Sequence, residues 1–222
     1  FDVSILPDRK WINLRPNTDV MCITTCIQDA ILLISVDDRL FINLNDAGTR
    51  HCTNFIRTIA KGYKCTYLLS LSGYGDADMI NFFDESGNFV VPPARNNIYV
   101  GEQLGHLAKS LQADAVIPFS SHHQYQRTDS LWAQEYVTPL YAYENGFPGD
   151  IEFIPPFVDI ECPSGDYLSI SPKQIEIVPK SPEHFGDNWS DELEAQDRET
   201  IHKYFHRKEL IRNRIGYIEL VV

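Results

Sequence analysis

The chain has 222 residues, of which 43% are hydrophobic and 12% aromatic, so it has the material for one sizeable packed core and is not of disordered composition. Its formal net charge is −12 with no Lys/Arg run, which argues against a surface that tracks nucleic-acid phosphates. No run of about 18 uninterrupted apolar residues occurs, so no membrane span is expected.

Residues 18–36 read as an antiparallel hairpin. Asp19 to Ile27 is rich in β-branched residues, Gln28-Asp29 offers a tight turn, and Ala30 to Val36 is a nearly continuous apolar run. Asp37-Asp38 makes a second turn into Arg39-Leu40-Phe41-Ile42-Asn43-Leu44-Asn45-Asp46. There Leu40, Ile42 and Leu44 alternate with Phe41 and Asn43, and the strand ends at a carboxylate. From Thr49 to Gly62 the period changes. Cys52, Phe55, Ile56, Ile59 and Ala60 fall on one helical face, and Gly62 is a suitable stop.

Cys65 to Leu71 is the next strand, followed by a Gly-rich loop over Ser72 to Asp78 and an irregular stretch over 79–98. Leu104, Leu107, Ala108 and Leu111 mark a second helix, and Ala115 to Phe119 a further strand. Residues 39–119 therefore read strand, helix, strand, helix, strand, which predicts a mixed sheet covered by helices in an α/β fold. Ligands in such sheets gather beyond the carboxyl ends of the strands. The loops expected there carry Asn45-Asp46, Ser72 to Asp78, and Ser120-Ser121-His122-His123.

After residue 140 the character shifts, with prolines at 148, 155, 156, 163, 172, 179 and 182 and an exposed β piece expected over Gln174 to Val178. A long helix is expected over about 190–213. Ser190 would cap it, Asp191 and Glu192 fall in its first turn, and Lys203, Arg207, Lys208 and Arg212 lie toward its end, as the helix dipole favours. Leu193, Ile201, Tyr204, Phe205 and Ile211 are expected to form most of a buried stripe. Tyr217 to Val222 reads as a last strand. The organisation expected is a domain over 1–140 and a C-terminal α+β extension over 141–222.

The cysteines are Cys22, Cys26, Cys52, Cys65 and Cys162. An odd number in a chain with its own core reads as reduced thiols and a cytoplasmic location. Cys22 and Cys26 share a strand face, and buried thiols are favoured over a metal pair because no second Cys/His pair has matching spacing. His202 and His206 are an i, i+4 pair with no further Glu/His arrangement to complete a metal clip, and His51 and His106 read as surface helix residues. Asp46 has two readings, a helix cap or a metal ligand. Arg127 can hold an anionic substrate or pair with Asp129, and Asp76 and Asp78 fit solvated turn chemistry. No phosphate loop, nucleophile elbow or dinucleotide fingerprint is present.

Leu40 to Ala47, Tyr67 to Gly75, and Ala113 to His123 resemble the C-terminal half of the metallo-β-lactamase fold, one half of an αββα sandwich. The similarity lies toward the branch with N-acyl-phosphatidylethanolamine phospholipase D, ascorbate-phosphate lactonase and CMP-N-acetylneuraminate hydroxylase-like proteins. The Asn-x-Asn-Asp wording, the run from Ser120 to Trp132 and Gly186 to Ser190 are similar to the sialate-hydroxylase-like subgroup. The resemblance implies Asp46 as a metal-bridging carboxylate and His123, or His122 one residue out of register, as a further ligand. Tyr74, Tyr125 and Arg127 are then the expected substrate contacts, with Asp46 and Arg127 as catalytic groups.

The implied activity is a hydrolase with one or two divalent metals, zinc ahead of iron, acting on an ester or phosphate-type bond of a small, anionic substrate. Iron-dependent hydroxylation and a metal-free binding module are the alternatives. The family's His-x-His-x-Asp-His signature is absent from these residues. Together with a first residue Phe1 rather than Met, this leads to the expectation of a fragment whose other half carries those ligands, against a degenerate metal-free relative.

Overall fold

A computed structural model describes residues 4–25, 29–71, 83–84, 86–90, 99–119, 124–173, 176–187 and 192–215. Strands β1 (Ile12–Arg15), β2 (Thr18–Thr24), β3 (Ala30–Val36) and β4 (Arg39–Asn45) form an antiparallel meander. Its turns use left-handed Asn17 and Asp37 (φ 60 and 52), a conformation that short side-chain amides and acids tolerate better than other residues. The chain then crosses over helix α1 (Thr53–Ala60) to β5 (Cys65–Ser70) and over α2 (Val100–Leu111) to β6 (Ala115–Pro118). β5 runs parallel to β4, and β6 to β5. A two-residue strand, β7 (Glu152–Phe153), adds in parallel to β6, giving a seven-stranded mixed sheet in sequence order.

The α/β class and the strand–helix–strand–helix–strand order expected from the periodicity are both observed. Alternation explains which face is which. Ile31, Leu33, Leu40, Ile42, Leu44, Leu68 and Val116 point to the helix side and are fully buried with Ile56 of α1 and Leu104, Ala108 and Leu111 of α2. Full burial of each such aliphatic side chain is worth about 1.5–3 kcal/mol relative to exposure.

The other face holds a second cluster. Tyr67, Ala115, Ile117 and Ile154 are buried there, with Phe41, Cys65, Leu69, Val158 and Ile160 packed on it. Val158 and Ile160 come from β8 (Val158–Ile160), which pairs with β9 (Tyr167–Ser169) in a separate antiparallel hairpin. Along β3, Leu32, Ile34 and Val36 are half-buried on the second face.

The described chain divides into two units. One comprises residues Phe1–Gln126 and Ser130–Val178, and the other Arg127–Asp129 and Pro179–Val222. The second contains a short 3-10 turn (Pro182–Phe185) and helix α3 (Ala195–Ile215). Two expectations are corrected here. Residues 176–178 carry no strand pairing, and Gln174-Ile175 lie outside the described residues. Leu193, Ile201, Tyr204 and Phe205 are exposed and form no buried stripe. Apolar spacing identifies a helix face without saying what covers it. The expected capping Ser190, the hairpin tip at 26–28 and the final strand over 217–222 lie outside the described residues.

Candidate functional site

The carboxyl ends of the three central parallel strands are level. In register, Asn45 pairs with Ser70 and Ser70 with Pro118. The ladder continues one step past the sheet: the Leu71 amide donates to the Asn45 carbonyl (2.7 Å) and the Phe119 amide to the Ser70 carbonyl (2.9 Å). Asp46, Leu71 and Phe119 thus leave the sheet side by side. Adjacent strands are about 4.8 Å apart, so the three exits span about 10 Å.

The local sequence fixes how β4 ends. A register shift between Asn43 and Asn45 interrupts the ladder, and Asn45 turns left-handed (φ 50). The Asn43 side-chain oxygen accepts from the Asn45 amide (3.0 Å), replacing a ladder partner. The Asn45 side-chain amide donates to Asp46 Oδ1 (2.9 Å), and the Ala47 amide closes the turn on the Leu44 carbonyl (2.8 Å). Irregularities of this kind at strand ends re-aim the next side chain. Asp46 is exposed beyond it.

Asp46 does not cap α1. The N-cap residue is Cys52, with no side-chain capping bond, and the Thr49 carbonyl gathers the Cys52 amide, the Thr53 amide and the Thr53 hydroxyl at 3.0–3.1 Å. Of the two sequence readings of this carboxylate, the capping one is therefore removed.

The other expected site residues are placed as follows. His122, His123 and Tyr74 lie outside the described residues. Tyr125 is buried, and its amide donates to the Gln134 side-chain oxygen (3.1 Å). Arg127 belongs to the second unit. Its Nε and Nη2 donate to the two Asp129 carboxylate oxygens (3.1 and 2.8 Å), and its Nη1 is ion-paired with Asp187. The Asp129 hydrogen bond, ahead of the charges of Asp129 and Asp187, holds the guanidinium more firmly protonated than usual.

Among the described residues, no group of three or more His, Cys, Asp or Glu is placed to hold a metal ion. A catalytic zinc takes three protein ligands. The described residues do not, by themselves, fit such an ion.

A buried polar cluster escaped the sequence reading. Arg39, at the head of β4, is only 4% exposed. Its Nη1 donates to the Tyr67 hydroxyl (2.8 Å) and its Nε to the Cys162 carbonyl. Tyr67 stacks on Phe41 (centroids 4.7 Å apart), and its ionisation is pushed up to about 12 by burial first and the Cys65 side chain next. Burial likewise raises the Cys162 thiol above its ordinary value, against the opposing charge of Arg39. The available signal was a cation at the first position of an otherwise apolar strand.

No family model, curated protein or solved structure matches the chain. Among the described residues, no helix is long and apolar enough to cross a membrane.

Proposed function

We propose that the chain contributes the Asp46-bearing part of a metal-dependent hydrolase that acts on an ester or phosphate-type bond of a small substrate. The observation that supports this reading is the position of Asp46: an exposed carboxylate, uncommitted as a helix cap, at a rim where three parallel strands end level. Asp46 supplies one ligand. His122 or His123, which follow β6 in the sequence, is the proposed second. Two carboxylates already answer the charge of Arg127, so the reading rests on Asp46 rather than on it.

Metal analysis of the purified full-length gene product tests the proposal. One or two equivalents of zinc are expected in the wild type. Asp46→Ala is expected to lose most of that metal while keeping its circular dichroism spectrum. Unchanged metal content in the variant, or none in the wild type, would sink the hydrolase reading. Iron in place of zinc would move the reading to oxygen-dependent hydroxylation on the same residues.

A further inference from the structure

Arg39 and Phe41 of β4 stand in register with Cys65 and Tyr67 of β5. Residues paired across parallel strands share a face, as do residues two apart along one strand. The four side chains therefore form a block on the second face of the sheet. Phe41 stacks on Tyr67 there, and Cys65 packs on the same cluster. With strands about 4.8 Å apart, Cys65 and Arg39 are immediate neighbours.

The block is unbalanced in charge. Arg39 is only 4% exposed. Its Nε and Nη1 donate to the Cys162 carbonyl and the Tyr67 hydroxyl, both neutral. Among the described residues, Nη2 has no acceptor and no carboxylate is ion-paired with the guanidinium. A guanidinium presents its N–H donors as a fixed fork that matches a two-oxygen anion. A buried cation is costly unless paired, and here the neighbour that can become an anion is a thiol.

We propose that Cys65 is a site of oxidation by hydrogen peroxide, and that its sulfinate becomes the counter-ion of Arg39. The thiol is part-exposed, within reach of a small oxidant. Its sulfur attacks one peroxide oxygen, the O–O bond breaks, and a sulfenic acid and one water form. A second peroxide adds the second oxygen in the same way and releases a second water. Sulfur loses two electrons in each step and peroxide takes them. The sulfinic acid then gives its proton to solvent and is an anion at neutral pH. Its two oxygens match the guanidinium fork. The Tyr67 hydroxyl, which accepts from Arg39, keeps its own proton to donate to them.

The other described thiols are less suited. Arg39 meets the carbonyl of Cys162, and burial raises that thiol above its ordinary value. Cys52 is buried, and Cys22, part-exposed like Cys65, faces Leu32 in register instead of a cation. Adding oxygen to a packed sulfur ordinarily disrupts its surroundings. At Cys65 it adds an ion pair and stabilises the fold.

Two experiments on the full chain test this. Aspartate resembles cysteine sulfinate in shape and charge, and asparagine has the shape without the charge. C65D is expected to melt about 4 °C or more above C65N, as a charge-assisted pair in a chain of this size does. That gap is expected to vanish or reverse in R39Q. In the second experiment, limited hydrogen peroxide followed by peptide mass mapping is expected to place two oxygens on Cys65 while Cys22 stays reduced. The treated wild type is expected to melt above the untreated protein, and C65S to show no such rise. C65D melting at or below C65N, a gap unchanged in R39Q, or Cys65 left unmodified at a dose that oxidises Cys22 would each overturn the proposal.

Discussion

Arg39 is a cation held inside the protein with neutral partners: a hydroxyl, a carbonyl and, 5.9 Å away, the Tyr67 ring. Burying a charge is costly unless hydrogen bonds replace the lost water, so the groups around Arg39 are constrained. Gly165 is one of them. It is left-handed (φ +87), and a Cβ there would lie 2.5–2.8 Å from the guanidinium. Gly165→Ala is therefore expected to destabilise the protein by about 1–3 kcal/mol, read from the urea midpoint. An unchanged midpoint would mean that the turn does not press on Arg39.

Tyr67 is the second constrained group, and it gives a pH-dependent prediction. Its hydroxyl titrates at about 12 in the folded chain against 10.0 ordinarily. The folded state thus holds this proton more tightly than the unfolded state. The associated stability is fully present below pH 10 and is lost as pH rises from 10 toward about 12. Tyr67→Phe should lose about 1–3 kcal/mol at neutral pH, because Arg39 loses an acceptor. The gap between wild type and variant should then narrow above pH 10. A gap that stays constant to pH 12 would show that the hydroxyl is not buried as described.

At the level of elements, helix α2 is set by what presses on it. Gly101 and Gly105 are spaced i, i+4. A Cβ on Gly101 would lie 2.5 Å from the carbonyl oxygens of Tyr143 and Asn145, and one on Gly105 would run into the Pro148 ring. Gly→Ala inside a helix ordinarily gains about 1 kcal/mol. Here the sign is expected to reverse, with Gly105→Ala losing about 1–3 kcal/mol through overpacking. A rise in melting temperature would show that Pro148 yields. The sequence made α1, α2 and β2 to β6 legible because each carries its own period, 3.6 or 2, over six or more residues or sits in a run bounded by turns. β7 was not legible, because two residues have no period and their pairing with Ala115 and Val116 is set by the sheet edge. The rim was half legible. A strand ending in Asn-Leu-Asn-Asp announced a carboxylate at the edge, but not that α1 would start at Thr53 and leave Asp46 uncapped to it. Arg39 and Tyr67 stayed hidden because their contacts reach 28 and 123 residues along the chain.

Across the whole molecule, burial is divided unequally between the two units. The first contains both apolar clusters. The second is held by other means: the Arg127–Asp129–Asp187 ion pairs, a backbone bond from the Thr128 amide to the Lys180 carbonyl (2.9 Å), and the 3-10 turn at Pro182–Phe185, whose buried residue is Pro182. Exposed ion pairs contribute roughly 0–1 kcal/mol each. Opening free energies in one protein range from near zero to the global value, following local burial. Hydrogen exchange should therefore separate the units. Amides of β2 to β6 should exchange slowly, near the global limit. Those of α3 should exchange orders of magnitude faster in dilute protein, since each of its described side chains is open to water. Slow exchange of α3 would contradict the exposure of its described side chains.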